Sequence, residues 1–222
     1  MEAEPKVLYK YRSLYDKNFE YTRCIFTQNT IYFAHPDDFN DPFDCKIPPV
    51  ENSLRHFITR HQNFGVFSLS ENYSNILMWG HYADSHKGIC IGFDSEKLRF
   101  RFNYEGPCVS GPVQVRYPPD NEYPRWSFFD KVDDAHIETI YFTKAKLWKY
   151  EKEWRIILPE QERKLRKIKP KALVSVYLGC QIDKGHRETV IEWCLQRKPR
   201  PEIYQMEKHD TSFSLKEIEV LY

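Results

Sequence analysis

The segment at residues 88–93, Gly-Ile-Cys-Ile-Gly-Phe, has no charged side chain and almost no polar atoms beyond its backbone. A short apolar run of this kind is typical of a strand that is buried on both faces. We therefore predict that it lies centrally in a sheet. The chain can build the core that such a strand needs, because 41% of its 222 residues are hydrophobic and 16% are aromatic.

Patterns typical of short strands and helices alternate along the chain, which favours a mixed architecture. Besides residues 88–93, strands are predicted at residues 7–11, 30–33, 65–69, 113–117, 153–158, 174–178, 203–206 and 215–220. Helices are predicted at residues 13–28, 51–61, 75–83, 130–143 and 187–196. Because no segment reads as a long linker, we expect a single α+β domain, residues 1–222, with mixed or antiparallel sheets of about six or more strands and flanking helices.

Charge and cysteine content argue against several classes of protein. The 33 basic and 32 acidic side chains leave a net charge of +1, so no uniform field favours bulk capture of nucleic acid. The six cysteines include no Cys-x-x-Cys pair, which argues against a disulfide framework or a zinc site. No apolar run approaches the roughly 20 residues that cross a bilayer, and the first residues lack a secretory signal. We expect a cytoplasmic protein without a metal or a membrane partner.

Polar side chains on two predicted strands are candidates for ligand binding. Lys10 and Arg12 share one face of the first strand, and an arginine there can hold a phosphate or carboxylate. The alternative is a surface cation that lies over an aromatic neighbour. Ser68 and Ser70 also share a strand face, from which two hydroxyls can orient a ribose or an amide. Equally, Ser70 can cap the turn that follows.

A third group of candidates lies on the helix predicted at residues 75–83. Trp79 and Tyr82 are three residues apart and share one helix face, with His81 between them, so they can form a wall on which a ring stacks. The alternative is that this aromatic stripe belongs to the core.

The loop at residues 39–44 is dense in turn-forming residues. Its polar residues Asn40 and Asp41 can contact a nucleotide if the loop closes over one.

The fourth candidate group precedes the apolar strand at residues 156–158. Glu151 and Glu153 are two residues apart, so in an extended backbone both carboxylates point the same way. Two like charges at such a short distance need a cation, a ligand or solvent to offset their repulsion. Arg155 shares their face and can supply the cation, which leaves a surface ladder of three charges as the alternative. An acidic pair at this position is also suited to stabilising a developing positive charge.

Six motifs in this order resemble a widespread bacterial domain family of unknown function. They lie at residues 8–14 (LYKYRSL), 39–44 (FNDPFD), 68–71 (SLSE), 78–83 (MWGHYA), 88–93 (GICIGF) and 148–155 (WKYEKEWR). The resemblance covers nearly the whole chain and implies no activity. The family's bacterial distribution is compatible with a role in phage defence or in a toxin system.

A second pattern resembles the arginine–serine–glutamate plan of ADP-ribosyltransferases. It consists of a basic residue on the first strand, Ser-x-Ser on a middle strand and Glu-x-Glu on a later one. The resemblance implies a split pair of antiparallel sheets and an enzyme that binds NAD as its substrate and cleaves the nicotinamide glycosidic bond. The acceptor, which can be protein, nucleic acid or water, and the oligomeric state stay open.

The same resemblance implies a role for each matching residue. Lys10 or Arg12 would hold the NAD phosphates. Ser68 and Ser70 would align the nicotinamide ribose, and Trp79 or Tyr82 would stack on the nicotinamide ring. Glu151 would contact the acceptor, and Glu153 would stabilise the oxocarbenium-like transition state. On this basis we expect Glu153→Gln to keep the fold and abolish turnover.

Two other functions are compatible with the sequence. Asp37 after a proline, followed by Asp44 and Lys46 in an Asp-x-Lys pattern, is the skeleton of a Mg²⁺-dependent nuclease site. Alternatively, a non-enzymatic module would use the Trp79–Tyr82 wall and the loop at residues 39–44 to hold a nucleotide or a protein partner.

Overall fold

The computed structural model describes residues 4–15, 17–48, 64–100, 111–120, 122–125, 127, 134–160 and 162–220. In these residues the strands are β1 (Val7–Arg12), β2 (Thr30–Phe33), β3 (Phe64–Ser70), β4 (Ile89–Asp94), β5 (Val113–Gln114), β6 (Glu153–Pro159), β7 (Lys164–Lys167), β8 (Leu173–Leu178), β9 (Glu202–Lys208) and β10 (Leu215–Glu219). The α-helices are α1 (Lys17–Thr27), α2 (Ile76–Tyr82), α3 (Asp134–Tyr141) and α4 (Lys184–Leu195). The helix predicted at residues 51–61 lies outside the described residues.

The strands form one mixed sheet of eight and a second sheet of two. The large sheet has the order β10-β9-β8-β4-β1-β3-β6-β5 and is open, and β2 pairs with β7. The pair β8–β9 is parallel, whereas β1–β4 and β4–β8 are antiparallel. The predicted α+β class and the strand count are therefore confirmed. None of the helices in the described part of the chain is long and apolar enough to cross a membrane.

The described residues divide into two compact units. Unit 1 comprises those within Met1–Ile31, Leu69–Leu98 and Arg166–Tyr222, and unit 2 comprises those within Tyr32–Ser68 and Arg99–Leu165. In unit 1, β4 lies between β8 and β1, and its Ile89, Ile91 and Phe93 are fully buried. The central position predicted for this apolar segment is confirmed.

The first strand presents Arg12 to α1. Arg12 donates hydrogen bonds from Nε to Thr22 Oγ1 (3.1 Å) and from Nη2 to the carbonyl of Asn18 (3.3 Å). Helix α1 in turn packs against α4, where the rings of Phe19 and Trp193 lie 5.4 Å apart. Arg12 thus fastens α1 to the sheet of unit 1.

Unit 2 has an apolar core of its own. Its buried members come from residues 45–47, from β3, from α3 and the residue after it, and from β6, and they are Cys45, Ile47, Val66, Ile140, Tyr141, Phe142 and Ile157. β6 is buried along its whole length and pairs with β5 through Val113↔Arg155 and Gln114↔Trp154. This strand positions the polar residues described below.

Three sequence predictions need correction. No strand is predicted between residues 158 and 174, but this segment contains β7, whose charged sequence Lys-Leu-Arg-Lys hides the strand pattern. The strand predicted at residues 113–117 extends over Val113–Gln114 only. Glu151 was expected in extended backbone, but it ends a 3-10 helix, Lys146–Glu151, and Lys152 then takes a left-handed conformation (φ 44°) before β6 begins.

Candidate functional site

Five buried charged side chains meet inside unit 2, and we call them the charged cluster: Asp44, Lys144, Glu151, Glu153 and Arg155. Each is at most 6% exposed. Charged residues are almost never buried to this extent unless they are paired. The contacts within the cluster must therefore account for all five charges.

Arg155 uses every donor of its guanidinium. Nε donates to Glu153 Oε1 (2.8 Å), and Nη2 donates to Glu153 Oε2 (2.9 Å) and to Asp44 Oδ2 (2.7 Å). Nη1 donates to the carbonyl of Tyr141 (2.8 Å) and to Cys45 Sγ (3.2 Å). A guanidinium has five N–H groups, so none is left for a ligand. Arg155 is thus a structural centre that holds two carboxylates in fixed positions.

Lys144 is the second cation of the cluster and faces all three carboxylates. Its Nζ lies 2.5 Å from Glu151 Oε2, 3.1 Å from Glu153 Oε2 and 3.4 Å from Asp44 Oδ2. The ring of Trp148 lies 5.0 Å from the same nitrogen, within cation–π distance. The ammonium group therefore occupies the position at which the three acidic side chains converge.

Mutual attraction favours the ionised forms of Glu153 and Lys144. Burial by itself raises the pKa of Glu153, but the charges of Arg155 and Lys144 and a hydrogen bond from Ser68 outweigh it, so that this pKa lies below its ordinary value. Burial lowers the pKa of Lys144, but Glu153, Asp44 and Glu151 raise it above the ordinary value. By formal charge, the three carboxylates of the cluster exceed its two cations by one.

A cavity of about 160 Å³ lies beside the cluster. It is lined by Phe43, Asp44, Ile47, Glu122, Tyr123, Pro124, Thr143, Lys144 and Ala145. Asp44 and Lys144 bring the charge of the cluster to its wall. Phe43 and Tyr123 are aromatic residues of this wall with 60% and 48% of their surface exposed. The cavity thus combines aromatic surface with a net-negative charged wall.

Four predicted site residues come together here. Glu151, Glu153 and Arg155 belong to the cluster, and Ser68 is hydrogen-bonded to Glu153. The surface ladder considered for the three charged residues is wrong, because all three are buried. The sequence placed Glu151 and Glu153 together through strand alternation. In the structure, a helical turn and the left-handed Lys152 bring them to the same ammonium group.

Three other predicted site residues have structural partners in unit 1. The guanidinium of Arg12 is bonded to α1, and burial lowers its pKa to about 10. Ser70 Oγ accepts the backbone N–H of Asn72 (3.1 Å), which is the turn-capping role considered above. Trp79 is fully buried, and its Nε1 donates to the carbonyl of Tyr73 (2.7 Å), so it is a core residue.

The remaining predicted site residues are not members of the charged cluster. Lys10 is half-buried on β1 in unit 1, where His81 is exposed and Tyr82 half-buried at the end of α2. In unit 2, Asn40 is exposed, and Asp41 Oδ1 accepts the backbone N–H of Phe43 (2.9 Å). That bond shapes the loop that carries Asp44.

The nuclease pattern does not assemble in the described residues. Asp37 is exposed and pairs with Lys46 (3.3 Å), whereas Asp44 is buried and bonded to Arg155. Among the described residues, no group of three or more His, Cys, Asp or Glu side chains is arranged to hold a metal ion.

Sequence reasoning missed the most central residue of the site. Lys144 follows a predicted helix and carries no local pattern that sets it apart from the other basic residues of the chain. Asp44 was considered as a metal ligand and as part of the loop at residues 39–44, but not as a partner of Arg155. The acidic doublet next to an apolar strand was the available signal, because two buried carboxylates require more than the one cation that Arg155 supplies.

Comparison with known proteins identifies one family. The model of a family described as protein of unknown function (DUF2971) matches residues 78–156, a range that contains Lys144, Glu151, Glu153 and Arg155. Neither a curated protein nor a solved structure matches. The resemblance to a domain family of unknown function is therefore confirmed, and nothing in these comparisons shows an ADP-ribosyltransferase fold.

Proposed function

We propose that unit 2 binds a small ligand through a positively charged aromatic ring, and that the oxidised nicotinamide ring of NAD is the first ligand to test. The observation that carries the proposal is the excess negative charge of the charged cluster, which reaches the wall of the cavity through Asp44. This site would make the protein a nucleotide-binding module, and a ligand of this kind agrees with the expected cytoplasmic location.

Charge selects the class of ligand. Lys144 also lines the cavity, but its ammonium group is paired with three carboxylates. The exposed Glu122 adds a further acidic side chain to the lining. A ligand cation therefore meets a net-negative site. At about 4 Å, two unit charges near a protein surface interact with about 4 kcal/mol before the cost of desolvation.

Size and surface select the shape of the ligand. A volume of about 160 Å³ is close to the roughly 150 Å³ of an engineered cavity that takes up benzene, so one six-membered ring fits. A whole dinucleotide does not fit, and the rest of NAD would lie outside the cavity. Aromatic side chains such as Tyr123 attract a cationic ring by a further ~0.5–2 kcal/mol.

NAD and NADH provide a matched pair of probes, because the nicotinamide ring is charged in NAD and neutral in NADH. Calorimetric titration should show that NAD binds at least about tenfold more tightly, which corresponds to about 1.4 kcal/mol. Tyr123→Leu should weaken NAD binding, whereas Glu138→Gln, an exposed change on α3 away from the cavity, should not. Equal affinities for NAD and NADH, or no binding of either, would refute the proposal.

Cleavage of the nicotinamide glycosidic bond is the second candidate function, and the contact between Ser68 and Glu153 favours it. These two residues match the serine and glutamate of the transferase plan. In such a reaction the bond from ribose C1′ to the ring nitrogen breaks and nicotinamide leaves as a neutral molecule with the electron pair of that bond. Water or a macromolecular acceptor then forms a bond to C1′ and loses a proton to solvent. A fixed carboxylate lowers this barrier because it stabilises the positive ribose.

The structure shifts the choice of carboxylate for this reaction. Both carboxylates are 4% exposed, but Glu153 is bonded to Arg155 through both oxygens, whereas Asp44 lines the cavity. We therefore assign Glu153 a positioning role and Asp44 the contact with ligand. Release of nicotinamide, followed by chromatography, tests the reaction: Asp44→Asn should lower the rate by ~10²–10³. If NAD binds stoichiometrically but no nicotinamide is released, the glycosidic-cleavage function is excluded and the ligand-binding function is supported.

A further inference from the structure

Four tyrosine rings lie together on one face of the sheet of unit 1, and we call them the tyrosine stack: Tyr9, Tyr73, Tyr177 and Tyr204. The rings of Tyr73 and Tyr177 are parallel within 19° at 4.4 Å, and those of Tyr177 and Tyr204 within 15° at 5.0 Å. Tyr9 contacts both Tyr73 (5.2 Å) and Tyr177 (5.9 Å) at steeper angles.

Strand register explains how the stack forms. Tyr177 on β8 pairs directly with Tyr204 on β9, and Tyr9 on β1 pairs with Gly92 on β4. A Cβ at position 92 would lie 3.3 Å from the ring of Tyr9 and would overlap the hydroxyl of Ser175. The missing side chain of Gly92 therefore gives Tyr9 the room to approach Tyr177.

The stack is open at its outer end. Of the described rings, only that of Tyr177 contacts Tyr204, so the second face of the Tyr204 ring has no aromatic neighbour. Glu219 on β10 lies directly across from Tyr204 in the register. Since β10 is an edge strand of the sheet, this end of the stack is accessible to a partner.

Three exposed carboxylates surround this end. Side chains alternate along a strand, so Glu202, Glu217 and Glu219 share the face of Tyr204. Tyr204 donates a hydrogen bond to Glu202 (3.0 Å), and Tyr73 donates one to Glu217 (2.9 Å). Burial first, and then these carboxylates, raise the pKa values of Tyr73 and Tyr204 to about 12.

No lysine or arginine of the described chain pairs with these three carboxylates. Lys216 lies on the opposite face and pairs with Asp210 (2.9 Å), and Lys208 shares the face but lies at the far end of β9, across from Leu215. A stacked aromatic surface whose carboxylates have no cationic partner in the described chain disfavours nucleic acid, whose phosphates would be repelled. It is complementary to a cation that can also stack.

We propose that this face of unit 1, with the Tyr204 ring and Glu217 and Glu219 at its centre, docks an arginine-bearing basic segment of a partner protein. A guanidinium is planar, so it can continue the stack on the open face of Tyr204 while its N–H groups bind carboxylates. The side chain of lysine carries a positive charge but has no planar group that can stack, so a lysine-bearing segment is expected to bind less tightly. This surface is independent of the cavity in unit 2.

Fluorescence anisotropy with a labelled peptide of alternating glycine and arginine tests the proposal. The same peptide with citrulline in place of arginine keeps the planar group but removes its charge. We expect the arginine peptide to bind the full chain at least tenfold more tightly than the citrulline peptide. The double variant Glu217→Gln/Glu219→Gln should lose at least tenfold in affinity, and Glu188→Gln, an exposed change on α4, less than twofold.

Further variants separate docking from folding and from the cavity in unit 2. Tyr204→Leu should weaken the arginine peptide at least fivefold, whereas Tyr204→Phe, which keeps the ring, should bind within twofold of the wild type. Tyr123→Leu should leave peptide binding unchanged. Equal binding of the arginine and citrulline peptides, binding by Glu217→Gln/Glu219→Gln at the wild-type level, or tighter binding of a single-stranded oligonucleotide would each overturn the proposal.

Discussion

Glu153 and Arg155 are two residues apart on β6, and their side chains meet through two hydrogen bonds, from Nε to Oε1 (2.8 Å) and from Nη2 to Oε2 (2.9 Å). Alternation along the strand places both on one face, and burial removes the water that would otherwise compete. The pair anchors the other members of the charged cluster, because Asp44 and Lys144 bind to the same two groups.

Glu153→Gln should destabilise the fold as well as any function. The substitution keeps the shape but leaves Arg155 and Lys144 with one carboxylate fewer, and breaking a buried ion pair by removing one partner costs about 3–5 kcal/mol. Urea unfolding measures this difference. The expectation from sequence alone, that this variant keeps the wild-type fold, is thereby revised. A loss below about 1 kcal/mol, similar to that of the exposed control Glu138→Gln, would show that the pair is not an anchor.

Acid should weaken the wild type more than the Glu153→Gln variant. The pKa of Glu153 is lower in the folded chain than its ordinary value. Its stabilising contribution is therefore complete above the unfolded pKa of about 4.3 and is lost as the pH falls through the folded pKa. The free energy of unfolding, measured between about pH 6 and pH 3, should fall more steeply for the wild type. Parallel curves for the two proteins would contradict this origin of the acid sensitivity.

The contribution of Lys144 to the free energy of unfolding should persist at alkaline pH, well above neutrality. The pKa of Lys144 is raised in the folded chain, so its contribution is complete below the ordinary lysine value and is lost only as the pH rises through the higher folded pKa. Replacement of Lys144 by Met should therefore lower the free energy of unfolding by a constant amount between about pH 7 and pH 10. Guanidinium chloride unfolding at several pH values measures it. A gap that closes over this range would mean that Lys144 loses its charge there.

Two glycines of unit 1 should respond to alanine in opposite directions. A Cβ at Gly88 would overlap the carbonyl oxygen of Arg12, a backbone atom that cannot move aside. Gly88→Ala should therefore cost about 1–3 kcal/mol. Gly80 lies in α2 with no atom within 4 Å of an added Cβ, so Gly80→Ala should gain about 0.4–1 kcal/mol. Thermal unfolding compares the two variants, and shifts of the same sign would contradict the packing described for Gly88.

Local patterns in the sequence predicted much of the fold. Residues 88–93 were placed centrally because an apolar strand must be covered on both faces, and α2 was predicted to begin at Asn75, whose Oδ1 accepts the backbone N–H of Leu77 (2.9 Å) as a helix cap. Both features depend on neighbours in the chain. Such short-range determinants can be recognised without knowledge of the tertiary structure.

Long-range pairing limited the prediction of the site. The acidic residues Glu151 and Glu153 were recognised, but their partner Lys144 was not, since nothing local distinguishes a lysine that will be buried. Arg12 was expected to bind phosphate because its strand position is compatible with that role. Only the packing of α1 reveals that Thr22 and Asn18 already bind its guanidinium.

The affinities of 1-methylnicotinamide and nicotinamide for the wild type and for Asp44→Asn test the central claim most directly. The two compounds share a ring of nearly the same size, and only the first is charged. The account predicts at least about a tenfold preference for 1-methylnicotinamide in the wild type and near-equal affinities in Asp44→Asn. Equal binding of both compounds to the wild type, or a preference that survives the loss of the Asp44 charge, would contradict it.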